Sequence, residues 1–382
     1  MSEANRPNTS SNQDQTTWRE TPFLIIKGFL MGSADIVPGV SGGTMALITG
    51  IYDRLIHAIK SVDSRTISSF FRFRFKTVLN HLHWKFLLLL FTGIFLAIIF
   101  FTKIVPLQVY MFSHPEIVYG LFFGLIVGSI FLLIAEISPS DRSWKNLLPL
   151  IAGALFGFWV VTLVPADTPE TFWYVFLSGS VAICAMILPG ISGSYLLLIF
   201  QKYDYILTQL GSIGSSETIP ALLNLLPFIS GAIVGLALFS RLLSWLLNNY
   251  HAITLLVLIG FLIGSLYVIW PYQEREFQES VRSVEILPVT DPLVQNLMNR
   301  EEIPKTPGYK RIGRELPAAE EPGSTPLVEV ETVSRKLISS EPFMPGVNTQ
   351  QGREEVNLAG GLAGMAVGLI MISGISFLRR KS

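Results

Sequence analysis

The chain has 382 residues, of which 50% are hydrophobic and 15% charged, and its formal net charge is zero. Soluble domains carry about 25% charged residues, so this composition excludes an ordinary soluble protein and points to an all-α polytopic membrane protein. The charge balance implies no nucleic-acid or other polyanionic partner. A single cysteine, Cys184, excludes an intrachain disulfide and a cysteine metal cluster.

Residues 1–20 are polar and lack an apolar core, so they read as a disordered cytoplasmic tail rather than a signal peptide. Residues 21–163 form a first membrane repeat. It opens on 22–59, a pair of apolar segments broken by Pro38-Gly39-Val40-Ser41-Gly42-Gly43-Thr44. Proline cannot continue a helix and glycine permits the turn. Lys27 and Asp35 lie in this apolar stretch, where ionisable residues are costly and become functional candidates. Lys27 either pairs with a bound anion or snorkels to the interface. Asp35 either carries a coupling proton or caps a helix or pairs with Lys27.

The segment 60–85 holds six basic residues and one acid, so it is expected on the cytoplasmic side. Spans follow at 84–101, 117–136 and 147–163, with Arg142 and Lys145 inside between the last two.

A second repeat starts at 164–270. Its outside loop contains Asp167 and Glu170, and its hairpin at 172–210 carries a second break, Pro189-Gly190-Ile191-Ser192-Gly193-Ser194. A constant offset of 151 residues aligns Pro38, Gly39, Ser41 and Gly42 with Pro189, Gly190, Ser192 and Gly193. It also pairs Tyr52-Asp53 with Tyr203-Asp204. Spans at 220–240 and 251–270 complete this part. Gly124 and Gly128 match Gly260 and Gly264, and Gly153 and Gly157 match Gly364 and Gly368. G-x-x-x-G spacing lets helices approach closely and serves here as a repeat marker.

Residues 271–357 contain ten prolines, ten basic and fifteen acidic residues. They read as an extracytoplasmic insertion, extended or disordered, with a small folded domain as the alternative. Residues 358–382 supply the last span and a basic cytoplasmic tail.

Counting spans against charge places both broken hairpins as re-entrant segments entering from opposite sides, so the two repeats are inverted. Each break would otherwise be two full spans. Helices restart near Val40 and Ile191, with Ser41 and Ser192 as caps. Their N-termini, with the hydroxyls of Ser41, Thr44, Ser192 and Ser194, make an anion site suited to phosphate. Tyr52, Asp53, Arg54, Tyr203 and Asp204 lie near the hairpin mouths, as interface anchors or as gates. The five scattered histidines show no ligand spacing, so no metal or cofactor is expected. Nor is a catalytic nucleophile with its base visible.

The stretches Lys27-Gly28, Met31-Gly32-x-Ala34-Asp35-x-Val37-Pro38-Gly39-Val40-Ser41-Gly42-Gly43-Thr44 and Gly50-Ile51-Tyr52, with the second Pro-Gly break, resemble the DUF368 family. That family of bacterial membrane proteins is also described as polyprenyl-phosphate transporters. The resemblance covers 20–270 and 358–378. It implies a multi-pass protein of the bacterial cytoplasmic membrane, not an enzyme, that returns undecaprenyl phosphate to the cytoplasmic leaflet for envelope synthesis. A secondary transporter of a small soluble anion is the alternative from the residues alone, and a membrane enzyme such as a lipid phosphatase is the third reading. The sequence admits protons as the coupling ion and a homo-oligomeric state without fixing either.

Overall fold

The structure, a computed structural model, describes residues 16–37, 39–139, 146–163, 168–214, 218–300, 304, 306, 308–316, 326–345 and 356–380. Pro38, Arg142, Lys145, Asp167 and most of the N-terminal tail lie outside them.

A 3-10 turn at Trp18–Glu20 leads into α1 (Thr21–Asp35), α2 (Gly42–Ile48) and α3 (Tyr52–Lys60). Then come α4 (Ser64–Phe71), α5 (Phe75–His81) and α6 (Trp84–Ile99), which ends in π-helical turns at Phe100–Ile104. The chain continues through α7 (Leu107–Ser113), α8 (Pro115–Glu136) and α9 (Leu147–Val161). The second hairpin is α10 (Phe172–Ile187), α11 (Gly193–Ile199) and α12 (Tyr203–Gly211), followed by α13 (Thr218–Asn249) and α14 (His251–Ile269). The remainder is β1 (Gln273–Pro288), α15 (Pro292–Met298), β2 (Gly308–Leu316), β3 (Leu327–Pro342) and α16 (Leu358–Arg380).

Among the described residues, five helices are long and apolar enough to cross a bilayer: α6 with its π-turns, α8, α13, α14 and α16. The span expected at 147–163 is a helix of 15 residues, shorter than the ~20 that a full crossing takes. Phe91 and Phe95 of α6 are about 60% exposed, as residues facing lipid would be.

The chain divides into two compact units. The first comprises Met1–Phe100, Ile126–Leu266 and Ile370–Ser382. Within it the hairpins repeat residue for residue. Helices α1, α2 and α3 start 151 residues before α10, α11 and α12. Gly39 and Gly190 both take left-handed backbone, with φ of 87° and 80°. The second turn repeats as well, at Gly50 (φ 73°) and Gln201 (φ 51°). Packing recurs too, at an offset of 151 in the first helix of each pair and 138 in its partner. A side-chain carbon on Gly28 would overlap the carbonyl of Leu90, and one on Gly93 that of Ile25, so α1 and α6 touch backbone to backbone. In the second hairpin Gly179 meets the Phe228 carbonyl and Gly231 that of Phe176, joining α10 to α13 in the same way.

The second unit comprises Phe101–Leu125 and Tyr267–Leu369. Gly120 and Gly124 of α8 lie against the carbonyls of Gly361 and Met365 of α16, while Gly364 and Gly368 lie against those of Ile117 and Leu121. The first unit contains a matching set between α9 and α14. There Gly260 and Gly264 meet the carbonyls of Leu150 and Ala154, and Gly153 and Gly157 meet those of Val257 and Phe261. This geometry pairs Gly120 and Gly124 with Gly260 and Gly264. The sequence match had used Gly124 and Gly128, one helical turn away. Three glycines at four-residue spacing share one helix face, so sequence does not set their phase.

The second unit also corrects the reading of 271–357 as extended or disordered. Its described residues form an antiparallel sheet in the order β1-β3-β2. Val328 and Val330 of β3 are fully buried beneath Val294 of α15, with Leu287, Leu297 and Ile312 packed around them. On the charged face Arg311 bridges Glu279 and Glu331, and Arg335 also pairs with Glu279. These exposed pairs each contribute little. The valine core is what holds the sheet.

Candidate functional site

A helix leaves its last carbonyls without partners, and the turn after it must find bonds for its own backbone. Helix α10 ends at Ile187 with Pro189 and Gly190 behind it, and the first hairpin supplies what is missing. Tyr52 Oη donates to the Ile187 carbonyl at 3.2 Å. Ser41 Oγ donates to the Leu188 carbonyl at 3.1 Å, with the Met186 carbonyl an alternative acceptor at 3.3 Å. Gly190 N–H donates to Thr44 Oγ1 at 2.9 Å. Gly43 has no room for a side chain, because its Cα faces the Ile187 carbonyl. The first break is thus fastened directly onto the second, across some 145 residues of sequence.

The first break is closed on itself as well. The Asp35 carboxylate accepts from Gly42 N–H at 2.6 Å, and Ser41 Oγ accepts from Gly43 N–H at 3.2 Å. Helix α2 therefore starts at Gly42, not Val40, and its first two amides are held by a carboxylate and a hydroxyl. Two acceptors suit the partial positive charge of a helix start.

The second copy differs at the same positions. Helix α11 starts at Gly193, and its N-cap residue Ser192 makes no side-chain cap bond. Ser192 Oγ instead pairs with Ser194 Oγ at 2.9 Å. Met186 occupies the place of Asp35 and is exposed. Tyr195 occupies the place of Thr44 and donates to the Val161 carbonyl at 2.9 Å. Gly193 abuts the Ala182 carbonyl of its own hairpin.

Ser41, Gly42, Gly43, Thr44, Pro189, Gly190, Ser192 and Gly193 are buried, as is Gly39, whereas Asp35 and Ser194 are exposed. The accessible polar groups at the junction thus come one from each copy. Lys27 is fully buried in α1, which does not fit a side chain snorkelling outward.

The residues assigned to the hairpin mouths separate into different roles. Tyr52 is an interior pin, fully buried, whereas Tyr203 is half-buried. Asp53 and Asp204 are exposed. Arg54 pairs with Glu20 at 2.9 Å, donates to Thr16 and lies 4.6 Å above the Phe86 ring. This ties residues 16–20 down, where sequence reading expected a disordered tail. Burial opposes ionisation of Glu20, but its bonds to Arg54 and Thr17 outweigh that and hold its carboxyl below the usual range. Among the described residues no group of three His, Cys, Asp or Glu side chains is placed to hold a metal.

The sequence comparisons bear on this geometry. A family model described as VCA0040-like, undecaprenyl phosphate translocase-like, matches residues 31–285 and so includes both breaks. The chain belongs to this translocase-like family. A polyprenyl-phosphate transporter of Vibrio cholerae is 41% identical over 249 residues, covering 65% of this chain and 77% of that protein. A polyprenyl-phosphate transporter of Staphylococcus aureus is 30% identical over 258 residues, covering 65% and 85%. No solved structure matches. The translocase-like match stops at residue 285, inside β1, so α15, β2 and β3 lie beyond it.

Reading the translocase-like sequence alone missed Lys202. It is 1% exposed, donates to the Thr168 carbonyl and hydroxyl at 3.2 and 3.0 Å, and faces the Tyr174 and Tyr205 rings. The available signal was a lone cation three residues past an apolar helix.

Proposed function

We propose that this chain carries polyprenyl phosphate across the bacterial cytoplasmic membrane and returns the lipid carrier to the cytoplasmic leaflet. The observation that carries this reading is the fastening of two matched helix breaks onto each other inside a chain of the translocase-like family. A phosphate moved through hydrocarbon needs polar partners in place of water. Interrupted helices that meet within a membrane supply them as backbone amides and hydroxyls. The polyprenyl tail needs no protein enclosure, because lipid already solvates it.

Further parts of the proposal rest on the repeat. The two hairpins are re-entrant from opposite sides, and the halves are inverted. The recurrence of the glycine contacts between α8 and α16 and between α9 and α14 supports this arrangement. The headgroup site comprises Ser41, Gly42, Gly43, Thr44, Ser192, Gly193 and Ser194. Asp35 holds the place of the phosphate on Gly42 N–H when the site is empty. A proton taken up by Asp35 weakens that bond and admits the headgroup, which gives a route to proton coupling.

Vesicles that contain the purified chain and a labelled polyprenyl phosphate test the function. Protein-dependent movement of the label between leaflets is the expected result, and movement at the rate of empty vesicles would reject it. Single cysteines in a chain lacking Cys184 test the topology. Residues 60–83 should resist an impermeant thiol reagent applied outside intact cells, while 271–357 should react. Labelling of 60–83 from outside would reject the inverted arrangement.

A further inference from the structure

Several aromatic residues of the second unit gather just past the end of α14. The Trp270 ring lies 5.2 Å from Phe123 and 5.8 Å from Tyr272, and its N–H donates to the Phe343 carbonyl at 3.0 Å. Phe277 lies 5.0 Å from Phe112. Tryptophan and tyrosine in such a cluster mark the boundary between headgroups and hydrocarbon.

Arg275 lies just beyond this cluster, on β1. Its side chain lies against the apolar helix α8, with the guanidinium carbon 4.1 Å from the Tyr119 ring. Tyr119 is one turn inside α8 and 5% exposed. The Nη2 of Arg275 is buried and has no hydrogen-bond partner among the described residues. A guanidinium carries five donors in a planar fork, and leaving one buried without an acceptor is costly. Glu116, on the first turn of α8, is close enough to act electrostatically on both Arg275 and Tyr272. That acid balances part of the charge and the Tyr119 hydroxyl is hydrogen-bonded to the guanidinium, but Nη2 itself has no acceptor among the described residues.

We propose that Arg275 binds a phosphate monoester at the membrane boundary, with Tyr119 holding the guanidinium flat and Nη2 completing a forked contact. This rests on the proposed function for the source of the ligand, the headgroup of a polyprenyl phosphate; free phosphate would satisfy the same chemistry. Arginine suits the task because its fork matches two phosphate oxygens at once.

The test uses the full chain in detergent and three probes: a short-chain polyprenyl monophosphate, the matching polyprenol without phosphate, and inorganic phosphate. Binding is read by native mass spectrometry and by ligand-induced thermal stabilisation. The wild-type chain should bind the monophosphate and not the polyprenol. Arg275→Gln should weaken that binding tenfold or more while melting as the wild type does without ligand, and Arg275→Lys should fall between. Stabilisation by inorganic phosphate equal to that by the lipid would assign the site to free phosphate. Unchanged affinity in a folded Arg275→Gln overturns the proposal. Should the Gln variant fail to fold, wild-type affinity in Arg275→Lys overturns it too, because the arginine then only holds the sheet in place. Transport in vesicles separates this from the wider reading. A wild-type chain that binds the monophosphate without moving it rejects the transport function alone. Transport with an unchanged apparent KM in Arg275→Gln rejects the role of Arg275 alone.

Discussion

Gly43→Ala should abolish transport and lower the melting temperature, although it adds a single methyl group. That carbon would overlap the Ile187 carbonyl, which belongs to backbone and cannot rotate away. The two breaks must then separate. Separation puts at risk the bonds from Ser41 to Leu188, from Tyr52 to Ile187 and from Gly190 to Thr44. Each is worth about 1 kcal/mol when made, and more when a buried group is left bare. The expected loss is on the order of 2–5 kcal/mol, a large part of a typical stability. Gly211→Ala is the control, since nothing lies within 4 Å of the added carbon. Vesicle transport and melting in detergent, measured on both variants, decide the matter. Normal transport by a folded Gly43→Ala would show that contact between the breaks is dispensable.

Asp35→Asn should preserve the fold and remove the dependence of transport on a proton gradient. The amide oxygen of asparagine still accepts from Gly42 N–H, so α2 keeps its cap. The bond loses its charge assistance, which roughly halves its strength. With no anion on the Gly42 amide, a phosphate meets less competition and its affinity should rise several-fold. Transport by the wild-type chain should speed up when the pH is lower on the side from which Asp35 takes its proton. In Asp35→Asn the rate should be flat across the same gradients. A variant with the wild-type pH dependence would leave Asp35 as a structural cap only.

The broken hairpins were legible in the sequence because Pro-Gly pairs at a constant offset are rare and their consequence is local. The helix starts at Gly42 and Gly193 fell within two residues of the positions expected. What the motif touches was not legible. Nothing in the string of residues says that Ser41 serves the Leu188 carbonyl, because that depends on where α10 stops in space. The seven-residue step from Asp35 to Gly42 spans a break whose path sequence rules do not fix. The matched motifs also suggested two equal halves of a site. Thr44 and Tyr195, or Asp35 and Met186, show that equal positions carry unequal chemistry. In the insertion, the alternation Val328, Val330 was a true strand signal. Ten prolines and twenty-five charges hid it, since such composition reads as a chain with too little apolar surface to fold. Arg275 was hidden in the same way, as one of ten basic residues.

The glycine face of α8 has a consequence for how the chain is made. Gly120 and Gly124 rest on the carbonyls of Gly361 and Met365, so the surface they form has no partner until α16 has been synthesised. About 240 residues separate the two helices, which at 5–20 residues per second is roughly 10–50 s of translation. The three strands of the sheet are also made within that interval. This pairing of α8 with α16 can close only once α16 has been made, so a ribosome that stalls before it releases a chain with an open seam, a ready target for membrane proteases.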